Sequence, residues 1–319
     1  MLSASESPPI NTVIERGLVP VLIEKLKDFS DAKVQFEAAW AITNIASGTS
    51  SQTAAVVRAG GIPVLIALFD SPEQETVEQA IWALGNIAGD GEECRDQVLS
   101  LGVVGKLMAH IKSEKGDEFL QNLTWMISNL CRNKPTPRIE LLKPLLEPLH
   151  CLVQWPDTRV QADASWALSY ITDGSETHIQ AVCDTAGLVP RLVQLAGSND
   201  KASVVPSLRT VGNLITGSDS QTQFVLDQGL IQIIPKLLQS RHANVVKETC
   251  WAVSNITAGT AQQAMVVQNA NIIPTIIQIL KSSEFKTQKV KHRKKQILRY
   301  KTVQSRKRRM SLQTWPRVE

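Results

Sequence analysis

Tryptophan recurs in this chain at a fixed interval. Trp40, Trp82, Trp125, Trp166 and Trp251 stand 42, 43, 41 and 85 residues apart, and Arg209 takes the place skipped in the last, doubled gap. A second marker keeps the same step: Gly17-Leu-Val-Pro20, Gly61-Ile-Pro63, Gly187-Leu-Val-Pro190 and Ile272-Ile-Pro274. Repetition at this length belongs to stacked-helix arrays, in which each unit buries its apolar face only against its neighbours. It overrides the count that 319 residues would otherwise suggest, about two globular domains of ~150 residues.

One unit can be read in full. Ser51 to Ala59 forms a polar-started amphipathic turn ended by Gly60-Gly61, and Pro63 sits near a first helical position, where its missing N–H costs little. Val64 to Phe69 follows as a short apolar helix, broken by Ser71-Pro72. Glu73 to Ala88 is a long third helix closed by Gly89, with Val77, Ala80, Ile81, Leu84 and Ile87 as its packing stripe. No segment alternates with a two-residue period, so no strands are expected. The pattern predicts an all-α, right-handed armadillo-repeat solenoid with a period of about 42 residues and a long concave groove. The array is expected over residues 12–289, with a partial first repeat, about six recognisable repeats and a truncated last one; residues 1–11 and the basic, non-repeating 290–319 are expected to be disordered.

Four residues after each marker on the long helix stands a polar partner: Trp40/Asn44, Trp82/Asn86, Trp125/Asn129, Trp166/Tyr170, Arg209/Asn213 and Trp251/Asn255. That spacing puts both side chains on one face, a turn apart. A carboxamide offers a donor and an acceptor to an extended backbone, and indole faces hold the stems and attract the heads of Lys and Arg. Core packing explains a single tryptophan well, but it does not require Asn, a poor helix former, at each step.

The segments Asn44-Ile-Ala-Ser-Gly-Thr-Ser50, Trp82-Ala-Leu-Gly-Asn-Ile-Ala-Gly-Asp-Gly91, Ser128-Asn-Leu-Cys-Arg-Asn133 and Ser169-Tyr-Ile-Thr-Asp-Gly174 make the chain resemble the importin alpha family from about Ile10 to Lys289. The resemblance implies an adaptor that binds nuclear-localisation peptides of cargo proteins. Its major site carries over to Trp40, Asn44, Trp82, Asn86, Trp125 and Asn129, with Gly48, Thr53, Gln79, Asp90, Asn122 and Trp166 in support. Asp90 is then the expected receptor of the key lysine. For the minor site the resemblance gives Tyr170, Arg209, Asn213, Glu248, Trp251 and Asn255, but after Lys289 the chain reads Val290-Lys-His-Arg-Lys-Lys instead of another Trp/Asn helix, so this site is expected to be incomplete. The family pairs with importin beta through an Arg/Lys-rich segment that Met1 to Asn11 does not resemble. The expectation is a receptor, moving between cytoplasm and nucleus, that recognises cargo without its own carrier handle.

Charge sorts the remaining possibilities. Fourteen of the 34 Lys and Arg lie from Lys281 onward with two acidic residues, leaving 20 basic against 28 acidic residues in the body. An acidic body suits basic peptides and disfavours direct nucleic-acid binding. The alternative, a catenin-like scaffold, would carry a basic groove. The run Arg306-Lys307-Arg308-Arg309 could serve as a tethered self-ligand for the groove. No apolar stretch is long enough for a membrane span. The five cysteines and five histidines show no metal or redox spacing, so no cofactor, no metal and no enzymatic activity are expected, and the thiols are read as buried.

Overall fold

The computed structural model describes residues 9–112 and 115–281, and every regular element among them is helical. The chain is an armadillo-repeat solenoid. Its first repeat comprises Ile10–Glu15, Leu18–Leu26 and Ala32–Ala46, and its second comprises Ser50–Arg58, Gly61–Ala67 and Gln74–Asp90. The third, fifth and sixth repeats keep the three-helix plan, and their long third helices are Asp117–Cys131, Lys201–Leu214 and Ala243–Ile256. The fourth opens on one short turn of helix, Ile139–Leu142, and ends on Thr158–Thr172. Beyond the sixth lie Ala261–Asn269 and Ile273–Lys281.

Local chemistry sets these boundaries. In every repeat but the fourth the second helix is entered through a left-handed residue: Gly17, Gly60, Gly102, Gly187 and Gly229 have φ between 67° and 90°, a region open to glycine at little cost. Three of the third helices begin where a carboxylate accepts first-turn amides: Asp31 from Val34, Asp157 from Arg159 and Val160, and Asp200 from Ala202 and Ser203. First helices begin with reciprocal capping boxes, Thr49/Gln52, Ser218/Gln221 and Thr260/Gln263.

The structure shifts three expected details. Ile10 and Asn11 are helical and Ile10 is buried, so the array starts two residues earlier than the expected disordered segment allows. The second long helix does not stop at Gly89 but continues to Asp90, because the extended residue that ends it is Gly91. Cys131 is buried, whereas Cys151 is exposed and Cys94, Cys183 and Cys250 are half-buried. Burial pushes the Cys131 thiol up to about 12 and those of Cys183 and Cys250 up to about 11, which keeps them protonated.

Successive third helices pack side by side from Ala32–Ala46 to Ala243–Ile256. One continuous apolar core runs beneath them from Ile10 to Ile276. Their uncovered faces therefore form a single strip, the concave surface of an armadillo solenoid.

Candidate peptide-binding groove

The tryptophans do not behave as core residues. Trp40 and Trp82 are 37% and 42% exposed, large values for indoles seated mid-helix among fully buried neighbours. Trp82 and Trp125 lie with ring centroids 5.2 Å apart, and Trp166 stacks with Tyr170 at 6.0 Å. Trp40 leans against Phe36 at 6.0 Å. Partly open aromatic faces follow one another along the strip.

A device that the sequence reading missed holds the indoles in place. The residue three after each marker is small: Thr43, Gly85, Ser128, Ser169, Gly212 and Ser254. At two of these the next tryptophan lies directly on the backbone. A Cβ on Gly85 would fall 2.3 Å from Trp125 Cζ3, and one on Gly212 would fall 2.3 Å from Trp251 Cζ3. The recurrence of small residues at the tryptophan period was the available signal. It was hidden because Gly and Ser inside a helix read first as weak helix formers.

The asparagines divide their hydrogen bonds. Asn129 Nδ2 donates to the Gly85 carbonyl at 3.1 Å, Asn213 Nδ2 to the Ser169 carbonyl at 2.9 Å, and Asn255 Nδ2 to the Gly212 carbonyl at 3.5 Å. An amide hydrogen thus ties neighbouring long helices together; Asn129 and Asn255 keep the carbonyl oxygen and the second hydrogen for a ligand, whereas Asn213 Nδ2 also donates to Thr172 Oγ1 at 3.2 Å and keeps only its carbonyl oxygen. The spacing pointed to peptide-clamping amides; part of their donor capacity is structural. Asn44 and Asn86 are half-buried on the same line, and Asn122 is buried.

Six of the predicted major-site residues, Gly48, Thr53, Asn86, Asp90, Trp125 and Asn129, line one recess of about 250 Å³ between the second and third repeats. Thr53 is buried there and donates to the Ala46 carbonyl at 3.1 Å, so it shapes the wall and does not reach outward. Asp90 is exposed, with one oxygen accepting from Ser50 Oγ at 2.7 Å. Arg132 also lines the recess, opposite in charge to Asp90. Its loop is fixed by Arg95, a fully buried side chain that donates to the carbonyls of Arg132, Asn133 and Pro135 at 2.7, 2.7 and 2.9 Å. Trp40, Asn44, Gln79, Trp82, Asn122 and Trp166 do not line the recess but lie along the strip beside it.

Three residues before each marker comes a further groove position: Glu37, Gln79, Asn122, Asp163, Pro206 and Glu248. The sequence reading took three of these and overlooked Asp163. Burial pushes the Asp163 carboxyl up to about 6, against a smaller opposing effect from the Gln121 amide at 3.4 Å. Such a group carries less than its full charge just below neutrality and gains it when a cation docks.

The expected minor site is internally paired. Arg209 stands where a tryptophan would be; its guanidinium donates to Glu248 Oε1 at 2.7 Å and lies 5.7 Å from the Trp251 ring. Glu248, buried to 6% exposure, therefore has an in-chain cation already and is not an open receptor for a peptide lysine. Arg306, Lys307, Arg308 and Arg309, together with the expected continuation past Lys289, lie outside the described residues. Among the described residues no cluster of metal-ligating side chains occurs, and no single helix is long and apolar enough to cross a membrane.

Known proteins share the repeat and the fold. The family profile described as armadillo/beta-catenin-like repeat matches residues 6–47, 49–89 and 218–258. Importin subunit alpha-1b of Oryza sativa subsp. japonica is 45% identical over 286 residues, 89% of this chain and 53% of that protein. Importin subunit alpha-3 of Arabidopsis thaliana is 46% identical over 286 residues, 89% of this chain and 54% of that protein. The chain thus spans about half the length of the curated relatives it matches. Among solved structures, an engineered protein superposes with a TM-score of 0.84 at 29% identity, covering 93% of this chain and 71% of its own. A designed armadillo repeat protein in complex with a peptide (KR)4 superposes with a TM-score of 0.52 at 21% identity, a likeness of fold over 88% of this chain and 98% of its own.

Proposed function

We propose that this chain, whose repeat array is similar to those of the importin alpha subunits, acts as a nuclear import adaptor, binding Lys/Arg-rich localisation peptides of cargo proteins. The observation that carries this reading is the recess bearing exposed Asp90 beside the open faces of Trp82 and Trp125. A peptide lysine enters with its aliphatic stem on indole and its ammonium on carboxylate, where a charge-assisted hydrogen bond forms. Asn86 and Asn129 meet the peptide backbone with the amide capacity left free. Gly48, Thr53, Gln79, Asn122, Asn44, Trp40 and Trp166 extend the major site. Tyr170, Asn213, Trp251 and Asn255 make a weaker second seat, with Arg209 holding Glu248. The adaptor works in cytoplasm and nucleus, and a carrier such as importin beta is its second partner. It needs no cofactor and performs no chemical reaction.

The test is a fluorescence-anisotropy titration with a labelled Lys/Arg-rich localisation peptide. The chain should bind saturably, and Trp82→Ala/Asn86→Ala should weaken binding roughly a hundredfold, the loss expected for a central aromatic anchor and its partner. Equal binding by both proteins would overturn the reading.

Asp163 adds a pH dependence of known sign. Its raised carboxyl is protonated as pH falls through about 6, so affinity for a cationic peptide should weaken from about pH 7 to about pH 5. Asp163→Asn should remove that slope. The same raised value means that ionising Asp163 destabilises the fold, so stability from this group is greatest below the usual carboxylate range and is lost as pH rises through about 6. Thermal melts of the two proteins at both pH values separate the effects.

A further inference from the structure

The approaches to the long helices carry acid in five repeats, in the turn as Asp28 and Asp31, Asp70 and Glu73, Asp157, and Asp200, and at the first helical residue as Asp117. The sixth turn, Gln239-Ser240-Arg241-His242, carries none, and its helix cap is His242, whose side chain bonds no first-turn amide. This turn is basic and has no acidic residue of its own.

A cleft of about 580 Å³ opens there, between the fifth and sixth repeats. Lys201, Lys236, Arg241 and His242 line it, drawn from the start of a long helix, a second helix and one turn, with Leu237 and Val245 in its floor. No carboxylate is among its lining residues. Asp200, the acid on the adjoining turn, is committed to capping, accepting from the Ala202 and Ser203 amides and from Ser203 Oγ. The molecule provides its own comparison. Lys106, on the second helix of the third repeat, reaches back to the preceding turn and meets both oxygens of Asp70 at 2.6 Å. Lys236, on the second helix of the sixth, also reaches back but meets only the carbonyls of Gly197 and Ser198, at 2.6 and 3.4 Å. Ser198 lines the cleft, and its buried Oγ has no hydrogen-bond partner among the described residues.

We propose that this cleft binds a compact polyphosphate on a small carbocyclic ring, a phosphorylated cyclitol, with Lys201, Lys236, Arg241 and His242 meeting its phosphates. Clustered cations without counter-charges have a standing electrostatic demand, which a multivalent anion meets with several charge-assisted hydrogen bonds at once. A cleft of this volume lies within the ordinary range for small ligands. The apolar floor of Leu237, Val204 and Val245, part of a small satellite core, gives the ring a surface to lie on. This chemistry occurs both in free solution and as a lipid headgroup. The site lies at the starts of the long helices, apart from the residues of the peptide recess, so the inference does not depend on the adaptor reading.

The test is isothermal titration of the full chain with inositol hexakisphosphate. Lys236→Glu/Arg241→Glu changes only exposed side chains and should weaken binding roughly tenfold or more, because two charge-assisted contacts become repulsive. A charge-matched control, Lys25→Glu/Lys33→Glu, should stay within about twofold of the parent protein. Amide hydrogen exchange of the parent should slow at Arg241 to Val245 when the ligand is added. Equal losses in the two variants, or no local protection, would overturn the proposal. Co-sedimentation with phosphatidylcholine vesicles, with and without phosphatidylinositol bisphosphate, identifies the source. Binding to the doped vesicles, lost in the cleft variant, assigns the headgroup; binding to the soluble compound alone assigns the free form. Retained affinity of the cleft variant for the localisation peptide keeps this result separate from the adaptor test.

Discussion

Replacing Arg95 by alanine should lower the unfolding free energy by about 3–5 kcal/mol, the largest single-site effect expected in this chain. The side chain is fully buried and donates to three carbonyls of one loop, and its carboxylate partner is the half-exposed Asp96 at 2.9 Å. Its removal leaves those carbonyls without donors, each costing about 1–3 kcal/mol before relaxation, and leaves a void that the third repeat cannot close. The loss should also reach the groove, because the freed loop carries Arg132 into the recess that holds Asp90. Arg95→Lys keeps the charge but loses the fork that reaches three oxygens in different directions. It should recover less than half of the stability. Chemical denaturation followed by circular dichroism measures both, and a loss below about 1 kcal/mol for alanine would contradict this account of the loop.

The second large effect is on binding and leaves the protein folded. Gly85→Ala places a methyl group 2.3 Å from Trp125 Cζ3, closer than any contact can be. The helix itself favours alanine by about 0.5–1 kcal/mol, so the backbone holds and the indole must move. Displacing Trp125 should weaken a Lys/Arg-rich peptide by roughly thirtyfold or more, the usual cost of losing an aromatic anchor. The emission of Trp125 should change with it. Gly89→Ala is the comparison on the same helix and in the same recess: its Cβ would stand 3.5 Å from Asn129, an ordinary contact that displaces no indole, so any loss there should be much smaller. Weakened binding by Gly89→Ala alone, with Gly85→Ala unaffected, would reverse the assignment of these two glycines.

How much of this was legible in the sequence follows from what repeats. The tryptophan step gave the solenoid and the face of each long helix, because one side chain per unit fixes the phase of every unit. The Trp/Asn pairs gave the line of the groove. The seats of Trp125 and Trp251 on Gly85 and Gly212 were written at the same period, but a gap between helices is a tertiary fact that no single-helix pattern displays. The double duty of Asn129, Asn213 and Asn255 was hidden for the same reason, since the carbonyls they bond belong to the preceding repeat. Asp163 could have been found by carrying the register of Gln79 and Asn122 one unit further. The closure of Glu248 by Arg209 depends on a side chain reaching across two helices, and spacing alone could not give it.

The central claim is that Asp90 receives a lysine of a bound basic peptide, and a double-mutant cycle tests it most directly. Four affinities are needed: the parent chain and Asp90→Ala, each with a localisation peptide and with the same peptide carrying alanine in place of its key lysine. The account predicts a coupling of about 1–3 kcal/mol, with Asp90→Ala nearly indifferent to which peptide is offered. Additive losses, with coupling near zero for every lysine of the peptide, would contradict it and move the cation to another part of the groove.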